Sequence, residues 1–459
     1  MRLVNKTWDE IEVGDAAEIR RLITQDDMMM FAAVSGNLNP MHLSGKPMSG
    51  EHKSEIVAPG MLMASLVSAV LGMQLPGPGT LYRRQVIDFH ERVHAGEEVI
   101  CRVEVKEVEL EQVVRLHTTV RRAADDVLVL SGEAIVDAPT EKYDRDEVDA
   151  PGLIVQRHRH FEALIAHAKS LGALPTAVVC PHEINALGGA MLAASHGIIQ
   201  PVLVGRAATI MSVAVEHEID LTDIKIMEAP DDVSASVLAC SLARDGQVAA
   251  IMKGHLHTDD LIKPMLDKST GLRTGKRFTH VFVMDVPGQP EPILVSDAAI
   301  NISPDLATKV SICQNAIDLA LSLGMEPRVG VLSAVETINP SIQSSIDAAL
   351  LSKMADRGQI RHGLVEGPLA MDNAVDLGAA RTKGLKGKVA GRANILIVPN
   401  LDAGNMLAKQ LAYISHAEGA GLLLGARVPV ILNSRSDSPI ARLASSAVAS
   451  IHYASGAQS

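Results

Sequence analysis

The chain has 459 residues and a formal net charge of -12, with 47% hydrophobic, 21% charged and only 2% aromatic residues. That length exceeds the roughly 250–300 residues one core usually serves, so at least two domains are expected, and the composition excludes a disordered chain. Acidic charge without a basic patch or aromatic stacking platforms argues against nucleic-acid binding, and the scarcity of aromatics leaves the core to aliphatic residues, as in parallel sheets covered by helices.

The opening MRLVNKTWDE has no apolar signal core. Periodicity predicts a helix over Gln25–Ser35, a turn-rich stretch over residues 36–50, and an apolar helix over Gly60–Leu75. That second helix is shorter than the roughly 20 residues a bilayer span needs, so no membrane association is expected. Alternating segments Thr80–Phe89, Glu98–Val108, Val113–Arg122 and Val127–Val136 predict an antiparallel sheet wrapping the apolar helix. Residues 1–136 therefore read as one α+β domain. Residues 137–151, DAPTEKYDRDEVDAP, are charged, bracketed by prolines and without periodicity, and read as a linker. From 152 to 459 helices alternate with aliphatic strands, among them Thr176–Cys180, Gln200–Gly205, Arg277–Met284, Arg328–Ser333 and Asn394–Val398. This rhythm predicts an α/β domain with a mainly parallel sheet.

Four cysteines, Cys101, Cys180, Cys240 and Cys313, show no ligand spacing and suit the reduced thiols of a cytoplasmic protein. His255 and His257 have no third partner in sequence, so no metal is expected. GLRTGK is one residue short of a phosphate loop, and GAGLLLG does not have dinucleotide-loop spacing.

Two segments carry chemistry on physical grounds. Ile395–Asn405 reads as strand, turn and helix, with Asp402, Gly404 and Asn405 where α/β folds bind ligands and a helix start favours anions. The alternative is a tight turn with a helix cap. Val430–Asn433 reads as a strand ending in Ser434 and Arg435. A hydroxyl there can donate to an oxyanion or a departing thiolate, and a guanidinium can hold phosphate through paired hydrogen bonds; the alternative is a capping serine beside a surface arginine. Lys253 ends the aliphatic strand Val248–Met252, placed to complement an anion or to snorkel. Asp372, in LAMDNAVD, reads as either a cleft residue or a solvated cap.

The segments EGPLAMDNAVD, VAGRANILIVPNLDAGN and PVILNSRSDSP, with IMKGHLHTDDLIKPML and VLSAVETINP, occur in an order that resembles the phosphate acetyl/butyryltransferases over about residues 152–455. The resemblance implies two α/β subdomains around a cleft and transfer of an acetyl or butyryl group between coenzyme A and phosphate. It places Lys253, Thr258, Asp297, Ser333, Glu336, Asp402, Gly404 and Asn405 in substrate binding. It gives Arg435 the role of orienting phosphate and Ser434 that of stabilising the transition state. Acyl-CoA and phosphate or acyl phosphate are the implied partners, with no permanently bound cofactor. Members of the acetyltransferase type carry a carboxylate where this chain has Ala441; Asp437 stands nearby as a substitute, and the SRSDSP form is more like the butyryltransferase branch. Direct displacement is expected, because no histidine is positioned by sequence to activate Ser434.

FAAVSGNLNPMH followed by IVAPGMLMASLVSAVLGMQLPGPGTLY resembles the MaoC-type hotdog domains, including the R-specific enoyl-CoA hydratases. In those hydratases an aspartate lies five residues before a histidine. Here the histidine is His42 and the aspartate position is Asn37, whose amide is no general base. The domain reads either as an altered hydratase relying on His42 or as an acyl-CoA-binding or dimerising module, and a homo-oligomer is expected. Two further readings of the whole chain are a short-chain enoyl-CoA hydratase and an acyl-CoA-binding regulatory protein.

Overall fold

The computed structural model describes residues 2–43, 56–146, 159–434 and 437–456. It divides into two compact units, Met1–Val155 and Gln156–Ser459.

In the first unit five antiparallel strands lie in the order Ala16–Leu22, Glu98–Val108, Val113–Arg122, Leu128–Asp137, Leu81–Phe89. Alternation sets the register: Val99, Cys101, Val103 and Val105 are buried while Glu98, Arg102 and Lys106 face out. The helix Gly60–Met73 packs on this sheet through Met63, Ala64, Val67, Val70 and Leu71, a single helical stripe. Each large aliphatic side chain so buried contributes roughly 1.5–3 kcal/mol. A charge at Val67, which is fully buried, would break the stripe. This is a hotdog arrangement, one apolar helix wrapped by an antiparallel sheet.

The linker reading fails in part. Asp144–Asp146 forms a strand antiparallel to Arg2–Val4. Asn5 fastens the same segment, donating to the carbonyls of Pro78 (3.0 Å) and Glu141 (2.9 Å) and accepting from the Tyr143 amide (2.8 Å). Charged residues without apolar periodicity form a strand here because the buried Asn5 amide and a two-stranded ladder satisfy their backbone. Residues 147–151 of the proposed linker lie outside the described residues.

In the second unit eleven strands make one sheet. One wing is parallel: Lys225–Glu228, Ile199–Gly205, Leu174–Val179, Ala250–Lys253 and Val430–Ile431. The other wing is also parallel: Ile293–Ser296, Ile395–Ile397, Arg328–Leu332 and Leu364–Leu369. Glu418–Leu424 and Thr279–Asp285 join the wings and pair antiparallel with their neighbours. The two expected subdomains are thus two wings of a continuous sheet. The last helix, Pro439–Gly456, is buried without interruption from Ala441 to Ile451 and packs on the helix Ile184–Ser195 and the joining strand Glu418–Leu424. Its small residues, LASSAVAS, permit that close approach. Among the described residues no helix is long and apolar enough to cross a membrane.

Candidate active site

The C-terminal end of Val430–Ile431, the joining strand Thr279–Asp285, the start of Glu418–Leu424 and the helix Leu401–Tyr413 line a cavity of about 680 Å³. Its wall includes His280, Phe282, Met284, Leu432, Asn433, Ser434 and Asp437. A smaller recess of about 340 Å³ is lined by Lys253, His257 and Asp259, and shares Thr258, Asn433 and Ser434 with the first. Ser434 therefore stands where a partly apolar chamber meets a polar one.

The Ser434 loop is held from both sides. Asp437 Oδ2 accepts from the Ser434 amide at 2.8 Å and from Asn433 Nδ2 at 3.2 Å. Ser438 Oγ accepts from the Ala441 amide at 3.1 Å and so caps the last helix. Asp437 is a loop brace, and its carboxylate also suits the positive end of the helix it precedes. Arg435 lies outside the described residues.

Arg442, one turn into that helix, is fully buried. Its Nη1 donates to the Lys253 carbonyl and its Nη2 to the Ser434 carbonyl, both at 3.0 Å. One guanidinium thus ties the end of the Lys253 strand to the Ser434 loop. Burial lowers its affinity for the proton, with Asp437 and Glu183 acting the other way. Gly189 on the neighbouring helix makes room: a Cβ there would sit 2.5 Å from Arg442 Cδ. Lys253 itself is almost fully buried and borders the recess.

Across the cavity, Leu401–Tyr413 begins at Asn400, whose Oδ1 accepts from the Ala403 amide at 3.0 Å. The strand, turn and helix expected over this segment are present. Asp402 and Asn405 line the cavity, and Asn405 Nδ2 donates to the Ala298 carbonyl at 3.3 Å. Gly404 serves packing: a Cβ would come 2.6 Å from the Asp297 carbonyl. Asp297 does not line the cavity. It is buried, with Oδ1 accepting from the amides of Ala299 and Ile300 (3.0 and 2.9 Å) and Oδ2 from the His280 amide and Asn301 Nδ2 (3.1 and 2.6 Å). It shapes the wall that Ala299 presents.

Ser333 and Glu336 line neither cavity. Ser333 Oγ meets Ser344 Oγ at 2.9 Å. Glu336 and Asp372 both pair with Lys383, each at 3.1 Å. A hydrogen bond from its own backbone and then the Lys383 ammonium hold the Glu336 carboxyl below its ordinary range. These residues sit on the second wing, beyond the strand ends that carry Ser434.

Cys180, His182 and Asp232 bring three ligand-type atoms within 4.8 Å of one another. Cys180 Sγ donates to Asp232 Oδ1 at 3.5 Å, and burial, then Asp232, push its thiol up to about 12. His182 Nε2 accepts from the Arg206 amide at 3.1 Å, and the Arg206 guanidinium stands 3.4 Å from Nδ1. The adjacent Arg206 guanidinium makes poor surroundings for a cation.

In the first unit, Asn37 Oδ1 accepts from the Asn39 amide at 3.3 Å, closing a turn. His42 Nδ1 lies 2.7 Å from the Val57 carbonyl. A carbonyl only accepts, so Nδ1 carries the proton and Nε2 of the neutral ring is left as acceptor.

Sequence reasoning missed His280, Asn433 and Arg442. A histidine inside the apolar strand THVFVMD and an arginine inside PIARLASSAVAS were the available signals; polar residues buried in aliphatic elements are rare unless used.

A partly apolar chamber and a lysine-bordered recess, meeting at a strand-end serine on an α/β sheet, define a transferase-type cleft. A family model described as phosphate acetyl/butaryl transferase matches residues 232–450, and one for the MaoC like domain matches residues 10–126. A phosphate acetyltransferase of Rhizobium meliloti is 52% identical over 295 residues, covering 64% of this chain and 93% of that protein. A phosphate butyryltransferase of Clostridium beijerinckii is 39% identical over 294 residues, covering 64% and 97%. The crystal structure of a branched-chain phosphotransacylase from Enterococcus faecalis V583 matches with a TM-score of 0.53 at 28% identity, covering 61% of this chain and 99% of that one. The chain belongs to the phosphate acetyl/butyryltransferase family, and it is a phosphate acyltransferase carrying an N-terminal MaoC-like domain.

Proposed function

We propose that the 680 Å³ cavity is where a short acyl group, acetyl or butyryl, passes between coenzyme A and phosphate by direct displacement. The observation that carries this is the meeting of the two chambers at Ser434. Phe282, Met284 and Leu432 offer an aliphatic acyl chain an apolar wall, and Lys253 and Thr258 offer an anion a polar recess. Ser434 donates to the oxyanion or the departing thiolate, and Arg435, the next residue, binds phosphate through paired charge-assisted bonds. Four buried, unbridged cysteines suit a reducing, cytoplasmic setting. The test is CoA release from acetyl-, propionyl- and butyryl-CoA, with and without phosphate, on wild type and Arg435→Ala. Phosphate-dependent release that collapses in the variant supports the assignment and ranks the acyl chains. Phosphate dependence unchanged in Arg435→Ala removes that residue from phosphate binding, and no dependence with any ester removes the short-chain assignment.

The first unit is proposed to bind an acyl-CoA ester while hydrating poorly. His42 Nε2 remains an acceptor but Asn37 supplies no second base. Self-association through the edge strand Leu81–Phe89 is part of this reading: Leu81, Tyr82, Val86 and Phe89 are all exposed there. Sedimentation of the intact chain checks it, and a monomer at micromolar concentration rejects it.

A further inference from the structure

The larger cavity is walled on one side by an imidazole that no described residue satisfies. His280 is 0% exposed, and neither Nδ1 nor Nε2 has a hydrogen-bond partner among the described residues. It sits in the strand Thr279–Asp285, with the Phe282 ring edge-on at 4.4 Å between centroids. The Leu432 backbone lies close to the ring and favours its protonated form. Asn433 Oδ1, on the same cavity wall, is a second buried atom without a partner among the described residues. A buried polar atom left without a partner is costly. Two of them on one wall are accounted for if a bound substrate completes them.

Other proton acceptors around the cavity are engaged or displaced. Asp437 braces the Ser434 and Asn433 nitrogens. Glu418 accepts from Ser438 Oγ at 3.0 Å. Ala441 has no acceptor, and Asp402 is exposed in the first turn of its helix.

We propose that His280 is a catalytic residue, the proton carrier of acyl transfer in this chain. In the thioester-forming direction it takes the proton from the CoA thiol as sulfur bonds to the acyl-phosphate carbonyl carbon. The bond from that carbon to the phosphate oxygen breaks, and His280 returns the proton to the departing phosphate. The reverse reaction retraces the same path, with no net proton or electron left over. The assignment rests on the cavity being the acyl-transfer site.

Burial keeps the ring's pKa below the ordinary imidazole value, opposed by the nearby carboxylates of Asp297 and Asp437. Burial thus favours the neutral ring, one nitrogen of which keeps a lone pair that can accept a proton. Asp402, Lys409 and Glu418 are the other charged groups lining the cavity.

The experiment measures thioester formation from CoA with acetyl phosphate and with butyryl phosphate, between pH 5.5 and 9. Wild type, His280→Gln, His280→Asn and Asp437→Asn are compared, with folding checked by circular dichroism. At pH 7 a folded His280 variant is expected to lose at least about 10²-fold in kcat with KM little changed. The deficit should shrink towards the alkaline end of the range, where a growing fraction of the CoA thiol is ionised unaided. A deficit equal at every pH shows a structural role and overturns the proposal, as does a kcat within about twofold of wild type. Should neither His280 variant fold, the wild-type profile decides: activity falling on acidification in Asp437→Asn as in wild type supports His280, and loss of that fall in Asp437→Asn transfers the role to Asp437. Wild type inactive with both acyl phosphates would instead remove the acyl-transfer reading of the cavity itself.

Discussion

The loop at Asn37–His42 and the loop at Asn433–Asp437 use the same turn chemistry to different ends. In each, a side-chain oxygen closes a turn on a backbone amide: Asn37 Oδ1 on Asn39 at 3.3 Å, Asp437 Oδ2 on Ser434 at 2.8 Å. The carboxylate makes the shorter, charge-assisted bond and holds Asn433 as well. The histidines invert this order. His42 is partly exposed with Nδ1 fixed by the Val57 carbonyl, whereas His280 is buried with both nitrogens unpartnered among the described residues. A carboxylate near the motif serine can thus brace a loop, and the buried imidazole sits on a strand that the local motif does not contain.

That contrast can be broken by exchanging its parts. Asn37→Asp should raise hydration of a short enoyl-CoA by at least about 10²-fold, the usual worth of a general base; absorbance of the enoyl thioester reports it, and an unchanged rate shows that more than the base is missing. Arg442→Met should lower phosphate-dependent CoA release by about 10²-fold, since the Ser434 loop and the Lys253 strand end lose their shared anchor. Retained activity within about twofold would show the loop holds without it. Gly404→Ala should destabilise the second unit by about 2 kcal/mol through overpacking against the Asp297 carbonyl, read as a lower urea midpoint; an unchanged midpoint would mean the helix can shift freely. Smallest is Asp437→Asn, which gives the second loop the amide of the first. About 1 kcal/mol, or roughly fivefold in kcat/KM, is expected from exchanging a charge-assisted bond for a neutral one.

Much of the fold was legible because periodicity is local. Glu98–Val108, Val113–Arg122 and Gln25–Ser35 have the boundaries that their alternation or helical spacing suggests. The strand, turn and helix at Ile395–Asn405 was visible for the same reason. Of the candidate residues expected from sequence, Thr258, Asp402, Asn405, Ser434 and Asp437 line the larger cavity and Lys253 the recess. His280 lines the same cavity as Ser434 because Thr279–Asp285 pairs with Glu418–Leu424, which pairs with Val430–Ile431. No spacing in the sequence encodes that adjacency. Asp297 and Gly404 carry motif signals for a different reason: they build the wall rather than touch what it encloses. The Asp144–Asp146 strand was missed because its partner lies at the other end of the unit.

The placement of acyl transfer at the Ser434 junction is tested most directly by phosphate-dependent CoA release from acetyl-CoA and butyryl-CoA, wild type against Ser434→Ala. A loss of about 10²–10³-fold is predicted, the cost of removing one hydrogen-bond donor to an oxyanion, with the thermal midpoint unchanged. Release in Ser434→Ala equal to wild type would contradict the account and move the chemistry away from this cavity.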